Sequence, residues 1–346
     1  MTNDVQSEVR SLGLVALAVV GADPPMTYDV FCASVASGLP EGLGYLQQHA
    51  ACRRSFEDLL PGTQSLLVAA MALPPAVEGW GRFCVLGDYH DRMRAALRGL
   101  AAVIEKHFGV IAWRACVDSA PILEREWAVR GGLGWIGHQR MLLHPDWGSA
   151  LILGELLVNR DLTPHQGCLE FGTMAGEFAP RLHPGAACRC SVGHRPCVNA
   201  CPTGALTDDG YCLRRCLAYW TTQHRGPMPE PYARAMGSTL WGCDHCQRTC
   251  PAAHYASTAA PHPVLDALTP ECILDTSQKQ LRKKLTHTPM AGAHPHILQR
   301  NACLVIGNLR QTRYVALLEH VEETHPCGWV RDAAQRSLHC LKGIAP

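Results

Sequence analysis

Apolar and polar positions divide the chain into three stretches of different texture. Residues 65–73 (SLLVAAMAL) and 151–158 (LILGELLV) are near-continuous apolar runs of buried-strand length, the first closed by Pro74-Pro75. Residues 111–117 read as a further strand. Across 91–107, Met93, Leu97, Leu100, Val103 and Ile104 recur at helical spacing. Residues 121–130 read as a helix with Pro121 in its first turn. Residues 1–165 thus form a mixed α/β unit. Residues 161–187, rich in Gly, Pro and His, read as a linker or long insertion, and a cysteine-rich segment occupies about 188–255. Beyond the prolines at 251, 261 and 263, helical periodicity returns at 297–309 (ILQRNACLVIGNL) and 329–341 (WVRDAAQRSLHCL). Both stretches run from a basic residue through small residues to apolar ones, a paired-helix pattern of the HEAT type. The expected units are 1–165 (α/β or α+β), 166–265 (cysteine-rich) and 266–346 (α-helical).

Composition narrows the class. A hydrophobic fraction of 47% is that of a soluble globular protein. The longest early apolar run covers only residues 12–21, about half of the roughly 20 residues that span a bilayer. The start, Met1-Thr2-Asn3-Asp4, has no basic region leading into an apolar stretch, so no export signal and no membrane partner are expected. In the reducing cytoplasm, 18 cysteines read as metal ligands and buried thiols rather than disulfides. Charge is uneven. From Lys279 onward ten Lys/Arg oppose four acids, +6, leaving −5 for the rest of a chain of net charge +1. Such an end can bind nucleic acid or be an ordinary solvated helix surface.

The cysteines carry the sharpest signal. Cys197-x3-Cys201-Pro202-Thr203-Gly204-Ala205 matches the second half of the bacterial ferredoxin run, and Cys243-x2-Cys246-x3-Cys250-Pro251 is a second copy. A cuboidal cluster needs four thiolates converging from different directions. The short spacings wrap one face, and the distant cysteine of each motif serves the other cluster. Soft thiolates select iron–sulfur centres over hard cations. Zinc is the rival, and the Cys-Pro endings favour clusters. Two [4Fe–4S] clusters take eight of the nine cysteines Cys188, Cys190, Cys197, Cys201, Cys212, Cys216, Cys243, Cys246 and Cys250. Family-like spacing before Cys197 falls on Ser191 and His194. The first motif must therefore be completed from Cys188 and Cys190, with Cys168 and His194 in reserve.

Several stretches together resemble the epoxyqueuosine reductase family over nearly the whole chain. They are Leu59-Leu60-Pro61-Gly62-Thr63, Gly87-Asp88-Tyr89-His90, 117–125 (VDSAPILER), 132–137 (GLGWIG), Gly148-Ser149, 153–158 (LGELLV), Arg214-Arg215-Cys216, Trp241-Gly242-Cys243-Asp244, and Arg300-Asn301-Ala302 through Gly307-Asn308. The resemblance implies a cobalamin-binding α/β domain, a ferredoxin-like two-cluster domain and a HEAT-like, tRNA-binding end. It implies reduction of epoxyqueuosine to queuosine in tRNA, by a monomer served by an external electron donor. It assigns Cys201, Cys216, Cys243 and Cys246 to one cluster, and Cys197 and Cys250 with two upstream cysteines to the other, leaving Cys212 spare. It places cobalamin near Arg53, Asp118, His138, His144, Ser149 and Gly242, with Asp118 as proton donor. A carboxyl that donates at neutral pH needs a raised pKa. On residues alone, Asp118 before Pro121 reads as a helix cap rather than a catalytic group. The competing functions are a reductive dehalogenase-like enzyme, which shares the cofactors but lacks this tail, and a plain electron carrier, which has no need of residues 1–165.

Local departures cluster near the implied pocket: His138 stands where Lys is usual, and Arg53-Arg54-Ser55-Phe56 replaces Arg-x-Asp-Pro. Two motifs are decoys. Gly132-x-Gly134-x-x-Gly137 lacks the strand that a dinucleotide fingerprint requires before it. Asp88-x-His90-x-x-Met93 lacks the Gly of the cobalt-ligating motif.

Overall fold

The computed structural model describes residues 2–173, 190, 195–208, 210–252 and 260–343. Among the described residues there are six strands: β1 (Ala16–Gly21), β2 (Ser65–Ala72), β3 (Trp113–Cys116), β4 (Trp135–Ile136), β5 (Leu142–Leu143) and β6 (Leu151–Val158). Four make one antiparallel sheet in the order β1-β2-β6-β3, and β4 and β5 form a small hairpin. The sheet strands are apolar at nearly every position because both faces are covered. Leu17, Val19, Leu67, Ala69, Met71, Leu156 and Val158 meet the helices Thr2–Arg10 and Tyr89–Phe108. Ala16, Ala18, Val20, Leu66, Val68, Ala70 and Leu157 meet the helix Glu124–Arg130 and the hairpin. This is the period-two alternation of a strand, with an apolar partner on each side.

Both long apolar runs and the 91–107 helix are where the periodicity puts them, and the third strand is shorter than 111–117. The 121–130 expectation needs correction. The helix begins at Glu124, its N-cap is Leu123, and Pro121 lies before it in irregular chain. Residues 118–123 instead make a tight turn, with Asp118 at φ +50°. Asp118 is therefore not a helix cap.

The rest of the chain packs around a separate core. Leu217, Met228, Met236 and Trp241, from the cysteine-bearing half, share it with Ile273, Leu281, Ile297, Leu304, Leu318, Val330 and Leu338. The helices Pro295–Asn308 and Gly328–Lys342 lie against each other, tied by Ser337 Oγ donating to the Cys303 carbonyl at 2.8 Å. Arg300 is fully buried without a carboxylate among its hydrogen-bond partners. Its five N–H groups go to the carbonyls of Trp220 (2.5 Å), His224 (3.0 Å) and Gly226 (2.8 Å) and twice to Asn301 Oδ1. Asn301 Nδ2 in turn donates to the carbonyls of Thr221 (2.9 Å) and Leu240 (2.7 Å). Among the described residues no helix is long and apolar enough to cross a membrane.

Asn301→Ala strips two buried carbonyls of their donor and two Arg300 N–H groups of their acceptor. We expect it to destabilise the chain by about 3 kcal/mol, read as a lowered urea midpoint at unchanged slope. An unchanged midpoint would show that water replaces the amide.

Candidate functional site

Two regions of chemistry meet across the boundary between the sheet unit and the cysteine-bearing half. Backbone contacts set their relation. Gly81 N–H donates to the Trp241 carbonyl at 2.7 Å, Leu240 N–H to the Gly79 carbonyl at 2.7 Å, and Arg82 N–H to Asp244 Oδ2 at 2.6 Å. Gly242 sits inside this contact at φ +79°, where an added Cβ would lie 2.9 Å from Phe83 and 3.0 Å from the Gly81 Cα. Glycine there is accounted for by close chain approach.

The cysteines separate into two groups by their mutual influence. Cys216 and Cys201 both act on Cys243 and on Cys246, while Cys190 and Cys250 act on Cys197. The resemblance groups Cys201, Cys216, Cys243 and Cys246 in the same way, and Cys190 stands with Cys197 and Cys250. Cys188 and His194 lie outside the described residues. Cys168 is elsewhere, packed under the sheet and donating to the His165 carbonyl at 3.0 Å. Cys212 is exposed. Among the described residues no three Cys, His, Asp or Glu close on a point that a single ion could occupy.

Burial, then neighbouring thiols, pushes Cys243 and Cys246 each up to about 12. Cys201 goes the other way. Burial raises it, but the backbone amides of Leu206, Thr203 and Ala205 outweigh that, with Ala205 N–H 3.2 Å from its sulfur. Clustered thiols that repel one another's charge fit a cationic core that takes them as thiolates, and amides aimed at sulfur fit the same role.

The second region surrounds Asp118. Tyr89 and His90 open the long helix, whose N-cap Asp88 accepts from His90 N–H at 2.9 Å. Asp88 itself is pinned by donating its N–H to the His287 carbonyl at 2.7 Å. Tyr89 Oη donates to Asp118 Oδ2 at 2.9 Å, and His90 Nε2 stands 3.4 Å from the same oxygen. His90 Nδ1 is held by Asp88 at 2.8 Å. Asp118, its side chain 62% exposed, thus presents one carboxylate edge to solvent while the other is gripped. The hydrogen bond with His90 lowers its pKa, burial opposes this, and Tyr89 adds to the lowering. The expectation of a raised Asp118 pKa is therefore corrected: without substrate the group is a carboxylate. His90 is shifted up, chiefly by the same hydrogen bond.

The remaining expected residues are distributed as follows. Arg53 stacks 5.0 Å over Phe31 and acts on Tyr45, which also feels Asp118, so it borders this region. His138 is partly buried near Arg195 and Arg140, on the cluster side. Ser149 is 3% exposed, and its Oγ has no hydrogen-bond partner among the described residues. His144 does not fit a ligand role. It is 1% exposed, with Nε2 on the Gly172 carbonyl (2.6 Å) and Nδ1 accepting from Asp146 N–H (3.0 Å). Both nitrogens are used within the fold. Gly134, at φ +154°, has no room for a Cβ beside the Leu143 carbonyl, so 132–137 serves the hairpin and not a nucleotide. Sequence reasoning assigned no role to Tyr89, His90, Glu124, Gln139 or Glu155. The available signal was a single carboxylate inside the apolar β6 run.

A two-cluster electron-transfer module, docked by its backbone onto an α/β unit that presents a gripped carboxylate, defines a redox protein of the iron–sulfur class. Residues 189–253 match the family model described as a 4Fe-4S double cluster binding domain. An epoxyqueuosine reductase of Lactococcus garvieae is 31% identical over 271 residues, covering 76% of this chain and 70% of its own. That of Vibrio cholerae is 30% identical over 264 residues, 72% of this chain, and this chain matches only 66% of its length. The fold agrees with a crystal structure of epoxyqueuosine reductase with an epoxyqueuosine-modified tRNA-Tyr stem loop. There the TM-score is 0.79 at 22% identity, covering 98% of this chain and 89% of the other. The enzyme from Streptococcus thermophilus gives 0.78 at 21% identity, covering 100% and 91%. The chain belongs to the epoxyqueuosine reductase family.

Two outcomes test the site. The His90 imidazole should titrate above its ordinary 6.5, and fall in Asp118→Asn, by NMR. Stabilisation from charged His90 is present at low pH and lost as pH rises through that raised value. Stabilisation from ionised Asp118 is lost as pH falls through its lowered one. The pair therefore supports the fold most between the two, and an unmoved His90 in the variant would break the argument. Separately, Cys243→Ala should remove about half the iron bound on anaerobic reconstitution, whereas Cys212→Ala removes none.

Proposed function

We propose that this chain reduces epoxyqueuosine to queuosine in tRNA, taking electrons from an external donor, as a cytoplasmic monomer. The observation that carries this reading is Asp118. It is an L-residue held at positive φ, its carboxylate set by Tyr89 and His90 and open on one edge, beside a two-cluster module. Strain kept at one residue by surrounding contacts marks positions where geometry is used.

The overall change is epoxide plus two electrons plus two protons, giving alkene plus water. Cobalamin, when bound, would supply a strongly reducing cobalt, and the clusters would supply electrons to it one at a time. The residues present fit such a group. Ser149 Oγ and both amide atoms of Gln139 are buried without partners, in the stretch where the resemblance locates the cofactor. With Arg53 and His138 they would hold it. His144 would support the loop beneath, and Gly242 would keep the chain clear.

Asp118 has the protein's own task. Opening an epoxide leaves an oxygen anion, which needs a proton, and a carboxyl placed beside it supplies one. His90 and Tyr89 orient the donor edge. For the nucleic acid, the helix Gln278–Leu285 exposes Lys279, Arg282, Lys283 and Lys284 around the buried Leu281 and Leu285. A row of exposed cations with no acid between them suits phosphates. We assign 1–165 to catalysis, 166–265 to electron transfer and the 266–346 helices, a HEAT-like repeat, to tRNA.

The test is nucleoside mass spectrometry on tRNA carrying epoxyqueuosine, with reconstituted protein, cobalamin and a strong reductant. The expected product is lighter by about 16 daltons, one oxygen. Asp118→Asn should lower turnover by about a hundredfold or more while keeping iron content. Full turnover in that variant would remove Asp118 from the reaction, and no product from the wild type would remove the reaction.

A further inference from the structure

Behind Asp118 lie two more carboxyls that the proposed reaction leaves unused. Glu124 opens the helix Glu124–Arg130, and its Oε1 accepts the Asp118 backbone N–H at 2.8 Å. Glu155 is deeper, in the middle of β6, paired in register with Val68 on β2 and Cys116 on β3, two residues before Asp118. It is 0% exposed, and among the described residues neither carboxylate oxygen has a hydrogen-bond partner. Asp118 is exposed, Glu124 half-buried and Glu155 wholly buried. The three carboxyls act on one another electrostatically. The other titratable groups facing them are Tyr89 and His90 from the long helix, Tyr45, Arg125 beside Glu124, and Cys116 and Arg114 on β3. None of these cations forms an ion pair with Glu124 or Glu155, among the described residues.

Such a row cannot be fully ionised. Adjacent carboxylates in a poorly solvated place share protons, because each charge penalises the next. His90 fixes the outer member as the anion. Glu155, with no cation and no donor, is the member that stays neutral. The middle carboxyl then decides how many protons the site holds.

We propose, on the basis of the reaction argued above, that Glu124 is the positioning residue that recharges Asp118 with its proton. The O–H bond of Glu124 breaks and one forms on the Asp118 carboxylate, which then passes that proton to the oxygen anion left by epoxide opening. Glu124 is left as a carboxylate that already accepts the Asp118 N–H, so the charge it acquires has a hydrogen bond in place. Being half-buried, it regains its proton from water. Electrons do not enter this transfer. Burial, and next the Asp118 charge, places Glu124 at about 7, so the exchange is matched to neutral pH.

The experiment pairs infrared spectroscopy of the full chain carrying carboxyl-13C glutamate with pH profiles of turnover. In wild type, one glutamic-acid carbonyl band should vanish between about pH 6 and pH 8, and a second, from Glu155, should persist. Glu124→Gln should abolish the titrating band alone. Turnover of wild type should fall about tenfold per pH unit above about 7. Glu124→Gln should be slow and flat over that range. Glu155→Gln, an uncharged mimic of a carboxyl that stays protonated, should keep the wild-type profile. A wild-type spectrum without a titrating glutamic acid overturns the proposal whatever the variants do. So does a Glu124→Gln profile that keeps the wild-type limb. If wild type makes no product at all, the reaction is wrong, and the infrared titration still decides whether Glu124 holds the proton.

Discussion

One buried guanidinium organises the half of the molecule that carries the cysteines. Arg300 has lost its water and faces no carboxylate, a costly position that lowers its own pKa to about 9. It is tolerated because all five of its N–H groups find oxygen, three on the carbonyls of Trp220, His224 and Gly226 and two on the Asn301 side-chain oxygen. Those carbonyls belong to the short helix after Cys216, Leu217–Thr222, and the irregular chain that follows it. The orientation of Cys216 relative to Cys243 and Cys246 is thereby referred to a helix some eighty residues later. The apolar core around Leu217, Trp241 and Ile297 closes over this contact and keeps water from competing for it.

The site on the sheet unit obeys a different constraint, the shortage of positive charge. Asp88, Asp118, Glu124 and Glu155 crowd one end of the sheet, and His90 is the group that lies between two of them. It can neutralise the outer carboxylate only by being charged itself, which is why its pKa rises as that of Asp118 falls. The deeper acids are left to hold protons. A gradient of acidity across a few side chains thus follows from how the sheet, the turn at 118–123 and one histidine are stacked.

Much of this was legible in the chain. The runs at 65–73 and 151–158 are strands because their residues are apolar on both faces, and Asp91–His107 reads as a helix because its apolar positions form a stripe. The two Cys-Pro motifs mark the cysteine-rich segment by spacing alone, while the division of the cysteines into two sets came from the family resemblance, because each x3 pair is split between the sets. What periodicity cannot carry is a partner far away in sequence. His90 meets Asp118 across twenty-eight residues, so a carboxyl expected to be raised is lowered. Pro121 looked like a first helical turn, but residues 118–123 are drawn into a turn whose purpose is set by Tyr89 and Glu124. His144 carried the right chemistry for a ligand, and only the fold shows that both of its nitrogens are engaged.

The contacts that join the two halves share a property with consequences over evolutionary time. Gly81 to Trp241, Leu240 to Gly79, Arg82 to Asp244 and Asp88 to His287 all engage main-chain atoms on at least one side. A carbonyl oxygen is available from any residue type, so the residue bearing it is free to drift while the bond survives. Such a joint is written in geometry more than in side chains. Such a joint is compatible with a fold shared at a TM-score of 0.79 and only 22% identity. It also means that side chains near the joint can change without disturbing the frame that holds the two halves together.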